Sequence, residues 1–223
     1  MSATAFRTAL VTGGASGIGA ATVALLEAEG CDVRSLDLAT GFDVGDAGAW
    51  TSVDGPVDFA FLNAGVATGA GEIADLPDAV YRRAVGANVD GVVFGVRRMA
   101  QVMEPGSSIV ATASLAGLMA MPLDPVYSLT KHAVVGFVRA VAPQLAARGI
   151  TINALCPSFA DTPIVSDELR EWVAGHGWTL IPPETVAQAA LAAARSGETG
   201  QAWVVQIGRE PMIYEFRGVP GPR

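Results

Sequence analysis

One lysine stands among the 14 basic residues of this 223-residue chain, and that lysine, Lys131, follows Tyr127 by four positions. In a helix, residues at this spacing lie on one face, so a phenol and an ammonium group can reach the same point. A nearby cation favours the phenolate, and we therefore expect Lys131 to lower the pKa of Tyr127 from its ordinary value of about 10. Such a tyrosine would serve as a general acid and base. The alternative interpretation is an exposed helical pair without a chemical role.

A glycine-rich turn near the start of the chain, Thr12–Gly19, has the composition of a phosphate-binding loop. It lies between an expected strand, Thr8–Thr12, and an expected helix over about Ile18–Glu29. The glycines at 13, 17 and 19 permit a tight turn and a close approach by phosphate. The first amides of the helix would then face a pyrophosphate with a favourable dipole. The context therefore favours a dinucleotide site over a purely structural turn.

A carboxylate, Asp37, ends the next expected strand, Asp32–Asp37. At that position a carboxylate accepts hydrogen bonds from the adenosine ribose. It would also repel a 2′-phosphate, and no Lys or Arg lies within the glycine loop, so the sequence favours NAD over NADP. Arg34 is the counter-argument, and we interpret it as a solvated or structural arginine.

The remaining chain alternates short apolar segments with longer helical patterns, which is typical of parallel βαβ units. Further strands are expected at Val57–Asn63, Ser107–Thr112, Ile150–Leu155 and Ala202–Ile207, and further helices at Asn88–Met103, Val126–Arg148 and Pro183–Arg195. We predict a single Rossmann-like α/β domain over residues 1–223, with a doubly wound parallel sheet. Residues 158–182, with a short helix near Asp167–Ala174, are interpreted as a substrate lid. Residues 208–223 are expected to form an irregular tail.

The order and spacing of these motifs resemble the short-chain dehydrogenase/reductase family over about residues 6–210. The matching residues are Thr12-Gly-x-x-x-Gly17-x-Gly19, Asn63-Ala64-Gly65, Asn88, Ser114, Tyr127-x-x-x-Lys131, Pro157 and Thr162-Pro163. The resemblance implies that Tyr127 exchanges a proton with the substrate oxygen, which Ser114 holds by a hydrogen bond. It implies that Lys131 binds the nicotinamide ribose and that Asn88 positions a water in a proton relay.

For the cofactor, the same resemblance implies contacts from the glycine loop, from the two following strand ends and from the catalytic helix. The implied cofactor-binding residues are Gly13, Ser16, Gly17, Ile18, Gly19, Asp37, Asp43, Val44, Asn63, Ala64, Gly65, Tyr127, Lys131, Pro157 and Thr162. Among them, Asp43 and Val44 would lie beside the adenine ring, and Thr162 would contact the carboxamide or the pyrophosphate.

The chain departs from the family pattern at two places. Ser158 follows Pro157 where the family usually has glycine, so a side chain there would narrow the nicotinamide side of the pocket. Between Asp37 and Asp43 there are only the residues 38–42, whereas a crossover to a parallel strand needs about a dozen residues. We therefore predict that the helix between the second and third strands is shortened or absent. Either the third strand of the family pattern is then vestigial, or this edge of the sheet is rebuilt as a loop.

Composition argues against several other classes of function. A net charge of −8 and a pI near 4.7 argue against nucleic acid or an anionic membrane as the main partner. The two cysteines, Cys31 and Cys156, form no Cys-x-x-Cys motif and are interpreted as small buried residues, and no metal site is indicated. The N-terminal residues lack the apolar region of a secretion signal, so we expect a cytoplasmic protein.

The leading hypothesis is an NAD-dependent oxidoreductase that acts on a lipophilic secondary alcohol or ketone. Apolar residues near the expected site favour a lipophilic substrate: Leu115, Ala116, Leu118, Met119, Met121, Pro122 and Leu123. Two alternatives remain open, a 3-oxoacyl thioester reductase that uses NADPH and a non-catalytic dinucleotide-sensing or scaffold protein. The resemblance also implies a homotetramer or homodimer.

Overall fold

The computed structural model describes residues 6–218 as one seven-stranded sheet covered by helices on both faces. The strands are β1 (Thr8–Thr12), β2 (Asp32–Leu36), β3 (Phe59–Leu62), β4 (Ser108–Thr112), β5 (Thr151–Pro157), β6 (Ala202–Val205) and β7 (Met212–Ile213). The helices are α1 (Gly17–Ala28), α2 (Asp78–Val85), α3 (Gly91–Val102), α4 (Pro125–Ala146), α5 (Asp167–Gly175) and α6 (Pro183–Arg195). The sheet order is β2-β1-β3-β4-β5-β6-β7, and the first six strands in sequence are parallel.

The sheet divides the core into two layers because successive side chains of a strand point to opposite faces. In β1, Leu10 packs into the layer that contains residues of α3 and α4, whereas Ala9 and Val11 pack into the layer with α1 and α6. All three side chains are at most 2% exposed. Burial on both faces explains why the central strands are continuous apolar runs, and the predicted doubly wound sheet is confirmed.

In the part of the chain that the structure describes, the edge of the sheet beyond β2 is formed by a loop and not by a further strand. This is one of the two outcomes that the short interval after Asp37 allowed. Two 3₁₀ turns, 38–40 and 49–52, are the helical elements between β2 and β3, and β2 itself is the edge strand. Trp50, 2% exposed, fills the space beneath α3 that a crossover helix would cover. Its ring lies edge-on to Phe42 at 5.3 Å, and a Cβ built at Gly95 would come within 2.9 Å of it.

The helix expected at Asn88–Met103 begins ten residues earlier than predicted, at Asp78. A π turn at residues 86–90 joins α2 to α3, so the helical run is continuous from Asp78 to Val102. The prediction was wrong because Gly86 resembles a helix stop in the sequence. Such π turns are frequent at functional sites, and this one contains Asn88.

The C-terminal tail is more regular than expected. Residues 208–218 include β7, which pairs antiparallel with β6 through Trp203–Ile213 and Val204–Met212. The remaining residues of the predicted tail, 219–223, and the N-terminal residues 1–5 lie outside the described part of the chain. Within residues 6–218, no helix combines the length and apolar character needed to cross a membrane.

Candidate active site

Lys131 lies in the first turns of α4, where its side chain is 2% exposed. The ammonium group donates a hydrogen bond of 2.8 Å to the carbonyl of Thr112 at the end of β4. It also lies 5.3 Å from the centroid of the Tyr127 ring. Burial disfavours the charged form, and it lowers the pKa of Lys131 to about 8. The predicted convergence of the two side chains is therefore present.

Desolvation determines the acidity of Tyr127. Burial raises the pKa of Tyr127 to about 12, and the charges of Asp124 and Cys156 act in the same direction. A hydrogen bond with the Ser114 side chain opposes this shift. The prediction that Lys131 lowers this pKa is therefore wrong for the protein by itself, because burial raises the pKa and Lys131 is not among the groups that oppose the shift.

Ser114 stands just after β4, beside the carboxyl end of β5. Its hydroxyl accepts a hydrogen bond of 3.1 Å from the amide of Ala116 and lies 3.5 Å from the carbonyl oxygen of Pro157. The same hydroxyl lies close enough to the Tyr127 phenol to lower the pKa of that phenol. In open α/β sheets, ligands bind outside the carboxyl ends of the strands. Ser114 and Tyr127 are thus brought together at the expected end of the sheet, and Pro157 lies next to them.

Asn88 is fully buried in the π turn, and its amide group is bound to the protein. The side-chain nitrogen donates to the Val66 carbonyl at 2.9 Å and to the Thr130 hydroxyl at 3.0 Å. The side-chain oxygen accepts from the Val66 amide at 2.7 Å. Asn88 therefore fixes the loop after β3 against α4. Its role in a water relay stays a prediction.

The glycine loop packs directly against the loop after β3. The Thr12 hydroxyl accepts hydrogen bonds from the amides of Asn63 and Ala64, at 2.9 and 3.0 Å. A Cβ built at Gly13 would lie 3.0 Å from the Cα of Ala64, and one at Gly19 would lie 2.0 Å from the carbonyl oxygen of Gly13. These contacts require glycine at position 19, as the sequence indicated. They place two groups of predicted cofactor residues side by side.

The next residue of the β3 loop connects this region to Lys131. A Cβ built at Gly65 would lie 2.9 Å from the amide oxygen of Asn88 and 3.4 Å from the ammonium of Lys131. At the other end of the glycine loop, Ser16 is the exposed N-cap of α1, and Ile18 packs against the core between α1 and α6. The Ser16 hydroxyl makes no cap hydrogen bond with the helix.

Asp37 is oriented by two main-chain amides. Its carboxylate accepts from Ala15 of the glycine loop at 3.0 Å and from Ala39 at 2.9 Å. Ionised carboxylates have further acceptor capacity, so these bonds leave room for a ribose hydroxyl. Arg34 instead donates to the carbonyls of Asp54 and Pro56, which confirms its interpretation as a structural residue.

The two residues predicted to flank adenine have different environments. Asp43 is exposed, and its carboxylate accepts a hydrogen bond of 2.8 Å from the amide of Gly45. Val44 is buried, and a Cβ built at Gly91 of α3 would lie 2.8 Å from its side chain. The Val44 carbonyl accepts the indole N–H of Trp50 at 2.9 Å. Adenine contacts at these two residues stay predictions.

The environment of the Thr162 hydroxyl bears on whether a dinucleotide fits this site. The residue is 7% exposed, and its side chain would come within 2.9 Å of a Cβ built at Gly17, which has a φ of +52°. Its hydroxyl is buried without a hydrogen-bond partner within the described residues. Buried polar groups in proteins are normally paired, so this hydroxyl favours a ligand with polar groups beside the glycine loop.

The apolar residues between Ser114 and Tyr127 differ in their exposure to solvent. Ala116 is 2% exposed and Leu118 packs against the core, so these two predicted lining residues are structural. Met119 and Leu123 are exposed by 53% and 40%, which is unusual for side chains of their size and leaves them available to a substrate.

The predicted lid contains α5 and an aromatic cluster, Phe159, Trp172, His176 and Trp178. Trp172 is the centre of the cluster, with its ring centroid 4.1 Å from that of His176 and 5.5 Å from that of Trp178. Arg170 of α5 donates a hydrogen bond of 3.0 Å to the Thr162 carbonyl. This contact connects the lid helix to the residue with the unpaired hydroxyl.

Sequence reasoning missed one buried charge near the site, Asp124. It is the N-cap of α4 and accepts the amide of Tyr127 at 2.8 Å. The signal was present in Asp124-Pro125, because Asp at the N-cap and Pro at the first helical position mark a helix start. Thr130, whose hydroxyl donates to the Tyr127 carbonyl at 2.8 Å, was also missed and has no comparable sequence signal.

Comparison with known proteins identifies the family. A short-chain dehydrogenase family model, described as enoyl-(acyl carrier protein) reductase, matches residues 44–209. The chain belongs to the short-chain dehydrogenase/reductase family. The fold of this short-chain dehydrogenase is similar to that of a short-chain dehydrogenase/reductase from Brucella melitensis described as a glucose/ribitol dehydrogenase, with a TM-score of 0.82. The two are 26% identical, and the match covers 91% of this chain and 96% of the other.

Two curated relatives are named for hydroxylated ring compounds. A 3beta-hydroxysteroid dehydrogenase from Mediterraneibacter gnavus is 34% identical over 66% of this short-chain dehydrogenase, a match that spans 54% of the relative's own length. A cis-4-hydroxycyclohexanecarboxylate dehydrogenase from Sinomonas cyclohexanicum is 33% identical over 82% of this chain and 87% of the relative. The short-chain dehydrogenase is therefore an oxidoreductase by family.

Proposed function

We propose that this short-chain dehydrogenase interconverts a lipophilic cyclic secondary alcohol and its ketone with NAD as the cofactor. The observation that carries the proposal is the convergence of three side chains. Ser114 lies close enough to the Tyr127 phenol to lower its pKa, and the Lys131 ammonium lies 5.3 Å from the centroid of the same ring. These three groups lie at the carboxyl ends of the parallel strands, where α/β proteins bind their ligands.

In the proposed mechanism, Tyr127 exchanges the proton of the substrate oxygen. During oxidation its phenolate would take the hydroxyl proton, and during reduction its phenol would return a proton to the oxygen. The Ser114 hydroxyl would hold the oxygen by a hydrogen bond as negative charge develops there. A bound nicotinamide would supply the hydride acceptor or donor, and its oxidised form carries a positive charge that favours the phenolate.

Residues of three segments would hold the dinucleotide. Asp37, beside the glycine loop, would accept hydrogen bonds from the adenosine ribose, and the Thr162 hydroxyl would gain the partner that it lacks. Lys131 would bind the nicotinamide ribose. The Asp37 charge supports NAD over NADP, because a 2′-phosphate would meet a like charge. Arg34, the cation nearest in sequence, is engaged by the carbonyls of Asp54 and Pro56.

The substrate class is inferred from exposed apolar side chains in the segments that flank the site. Met119, Leu123, Ile164 and Trp178 are each exposed by 40% or more. Because these side chains belong to the two segments that flank the site, we infer a lipophilic ligand. The names of the two relatives, which specify a hydroxysteroid and a hydroxycyclohexane, support a ring-bearing alcohol.

A 3-oxoacyl thioester reductase is the second candidate. It is supported by a relative from Streptomyces virginiae named "Monensin polyketide synthase putative ketoacyl reductase", which is 32% identical over 78% of this chain and 78% of the relative. The Asp37 carboxylate argues against it, because such a reductase would usually use NADPH. A non-catalytic role has weaker support, since Ser114, Tyr127 and Lys131 are all present and adjacent. The cytoplasmic location stays a prediction. So does the homotetramer or homodimer, although exposed small residues on α4 such as Ala133 and Gly136 would permit close packing of a second copy.

The test is to follow the absorbance of reduced nicotinamide with a panel of cyclic secondary alcohols, sugar alcohols and 3-hydroxyacyl thioesters. NAD and NADP are supplied in parallel. The proposal expects turnover of cyclic alcohols with NAD in preference to NADP. Turnover of the thioesters with NADP would support the second candidate instead. Tight binding of NADH without turnover of any compound would support a non-catalytic role.

A further inference from the structure

The main chain of Tyr127 is attached at both its amide and its carbonyl to one loop, residues 66–69, which we call the clasp loop. On the amide side, Tyr127 donates to one oxygen of Asp124 at 2.8 Å. The other oxygen of Asp124 accepts the amides of Thr68 at 2.7 Å and Gly69 at 3.2 Å. One carboxylate therefore joins the start of the catalytic helix to the clasp loop.

On the carbonyl side, a second route reaches the same loop. The Thr130 hydroxyl donates to the Tyr127 carbonyl at 2.8 Å and accepts the Asn88 amide at 3.0 Å. That amide group in turn binds both the N–H and the C=O of Val66. Tyr127 is thus connected to the two ends of the clasp loop by independent hydrogen-bonded paths.

The hydrogen bonds of the Asp124 carboxylate are all made within this connection. Asp124 is 9% exposed and, besides the three amides, accepts the Thr68 hydroxyl at 2.6 Å. Within the described residues it forms no ion pair. Four hydrogen bonds use the acceptor sites of a carboxylate, so Asp124 is not available to bind a substrate. A buried carboxylate is costly to keep, and its bonds are the compensation.

We propose that Asp124 is a positioning residue that couples the clasp loop to the catalytic tyrosine. The clasp loop directly follows Asn63, Ala64 and Gly65, the residues predicted to lie beneath the adenosine ribose. A change in the loop on cofactor binding is therefore transmitted through Asp124 to the first turn of α4. This coupling rests on the proposed function only in assigning the cofactor to that loop.

Asp124 also sets the electrostatic environment of the phenol. The groups that face Tyr127 are Ser114 after β4, Cys156 of β5, and Asp124 and Lys131 of α4. The charge of Asp124 raises the pKa of Tyr127, so the carboxylate favours the protonated phenol. Replacement of Asp124 by a neutral residue should lower that pKa. Alcohol oxidation uses the phenolate. In such a variant, the acidic limb of the pH–rate profile for oxidation should therefore move to lower pH.

The experiment compares the full-length wild type with Asp124→Asn and the matched control Asp58→Asn. Asp58 likewise accepts two main-chain amides, those of Arg7 and Thr8, but it lies at the opposite end of β1 from the glycine loop. Hydrogen exchange of the cofactor-free protein is measured first. Asn offers one acceptor oxygen, so it can keep the Tyr127 amide or the pair of amides of Thr68 and Gly69, but not all three. Exchange at the released amides should accelerate by about tenfold or more. Asp58→Asn should leave these three amides unchanged.

Steady-state kinetics then test the coupling. In Asp124→Asn we expect a rise in the KM for NAD, a fall in kcat of about tenfold to a hundredfold, and an acidic limb at lower pH. Asp124→Ser separates the helix cap from the clasp, because serine can cap the Tyr127 amide but is too short to hold Thr68 as well. It should fold like the wild type and still show the raised KM and the shifted limb.

Full recovery of KM and kcat in Asp124→Ser would show that Asp124 is merely a helix cap and would overturn the proposal, whereas the pH limb should shift in any neutral variant. Unchanged exchange at all three amides in Asp124→Asn would also overturn it. The exchange measurement needs no turnover, so it distinguishes the two proposals. If the wild type turned over no alcohol but Asp124→Asn released either set of amides, the proposed function would fail and the structural coupling would stand.

Discussion

The ammonium of Lys131 lies 5.3 Å from the centroid of the Tyr127 ring, and Lys131 is buried whereas Tyr127 is partly buried. The pKa of Tyr127 is raised to about 12 and that of Lys131 is lowered to about 8, each by burial. Desolvation thus favours the neutral form of both groups. In the proposed mechanism, the positive charge of an oxidised nicotinamide would therefore have to favour the phenolate.

The buried lysine should make stability depend on pH. The pKa of Lys131 falls from an ordinary 10.5 to about 8, so between these values the unfolded chain binds a proton that the folded chain has released. Stability therefore rises with pH across this window. We expect the wild type to gain about 3 kcal/mol relative to Lys131→Met between pH 8 and 10.5. Denaturant unfolding of both proteins measures the difference, and a constant difference across the window would contradict the burial argument.

Cofactor choice should depend on the Asp37 charge. Asp37→Asn keeps the shape of the side chain but removes the charge that would repel a 2′-phosphate. We expect the ratio of kcat/KM for NAD over NADP to fall by about tenfold or more, which corresponds to about 1.4 kcal/mol. Asp32→Asn, an exposed change at the opposite end of β2, should leave the ratio unchanged. An unaltered ratio in Asp37→Asn would place the adenosine ribose elsewhere.

The glycine loop should not tolerate a side chain at position 19. A Cβ in Gly19→Ala would lie 2.0 Å from the carbonyl oxygen of Gly13, so the loop must shift. We expect a loss of about 1–3 kcal/mol in the free energy of unfolding together with loss of NADH binding. Gly136→Ala is the matched control, because no atom lies within 4 Å of its Cβ in α4. Fluorescence titration with NADH and chemical unfolding report both effects, and normal binding by Gly19→Ala would exclude this loop as the phosphate site.

Trp50 should be a principal anchor of the rebuilt sheet edge. Its side chain is 2% exposed beneath α3, so Trp50→Ala should cost about 3–5 kcal/mol of unfolding free energy. Leu38→Ala, in the same connection but 71% exposed, should change it by about 0.5 kcal/mol or less. If chemical unfolding gave equal losses for the two variants, Trp50 would not have the space-filling role that we assign to it.

Residue types and short-range spacing in the sequence were sufficient to predict the glycine loop and most of the sheet. Strand β1 and helix α6 have the predicted bounds, because glycine and proline mark their ends in the sequence. The short interval after Asp37 also predicted the missing crossover helix. It did not reveal that Trp50 would fill the space, since burial of a side chain that far from the interval depends on tertiary packing.

Long-range contacts explain what the sequence could not provide. The start of α2 was missed because Gly86 resembles a helix stop, whereas the helical run continues through a π turn at 86–90 that bonds between Asn88 and Val66 hold in place. The pKa of Tyr127 was predicted in the wrong direction because helical spacing indicates a nearby cation but not the extent of burial. Asp124 was missed as a site residue because three of its four hydrogen bonds are made with residues of the clasp loop.

The central claim is that Tyr127 transfers the proton of a cyclic secondary alcohol while NAD takes the hydride. The most direct measurement is the rate of NADH formation by Tyr127→Phe beside the wild type and Tyr81→Phe, a change at a 42% exposed tyrosine of α2. We predict that Tyr127→Phe binds NADH normally but loses a factor of at least about 10² in kcat, and that Tyr81→Phe retains full activity. Wild-type kcat in Tyr127→Phe would contradict the account.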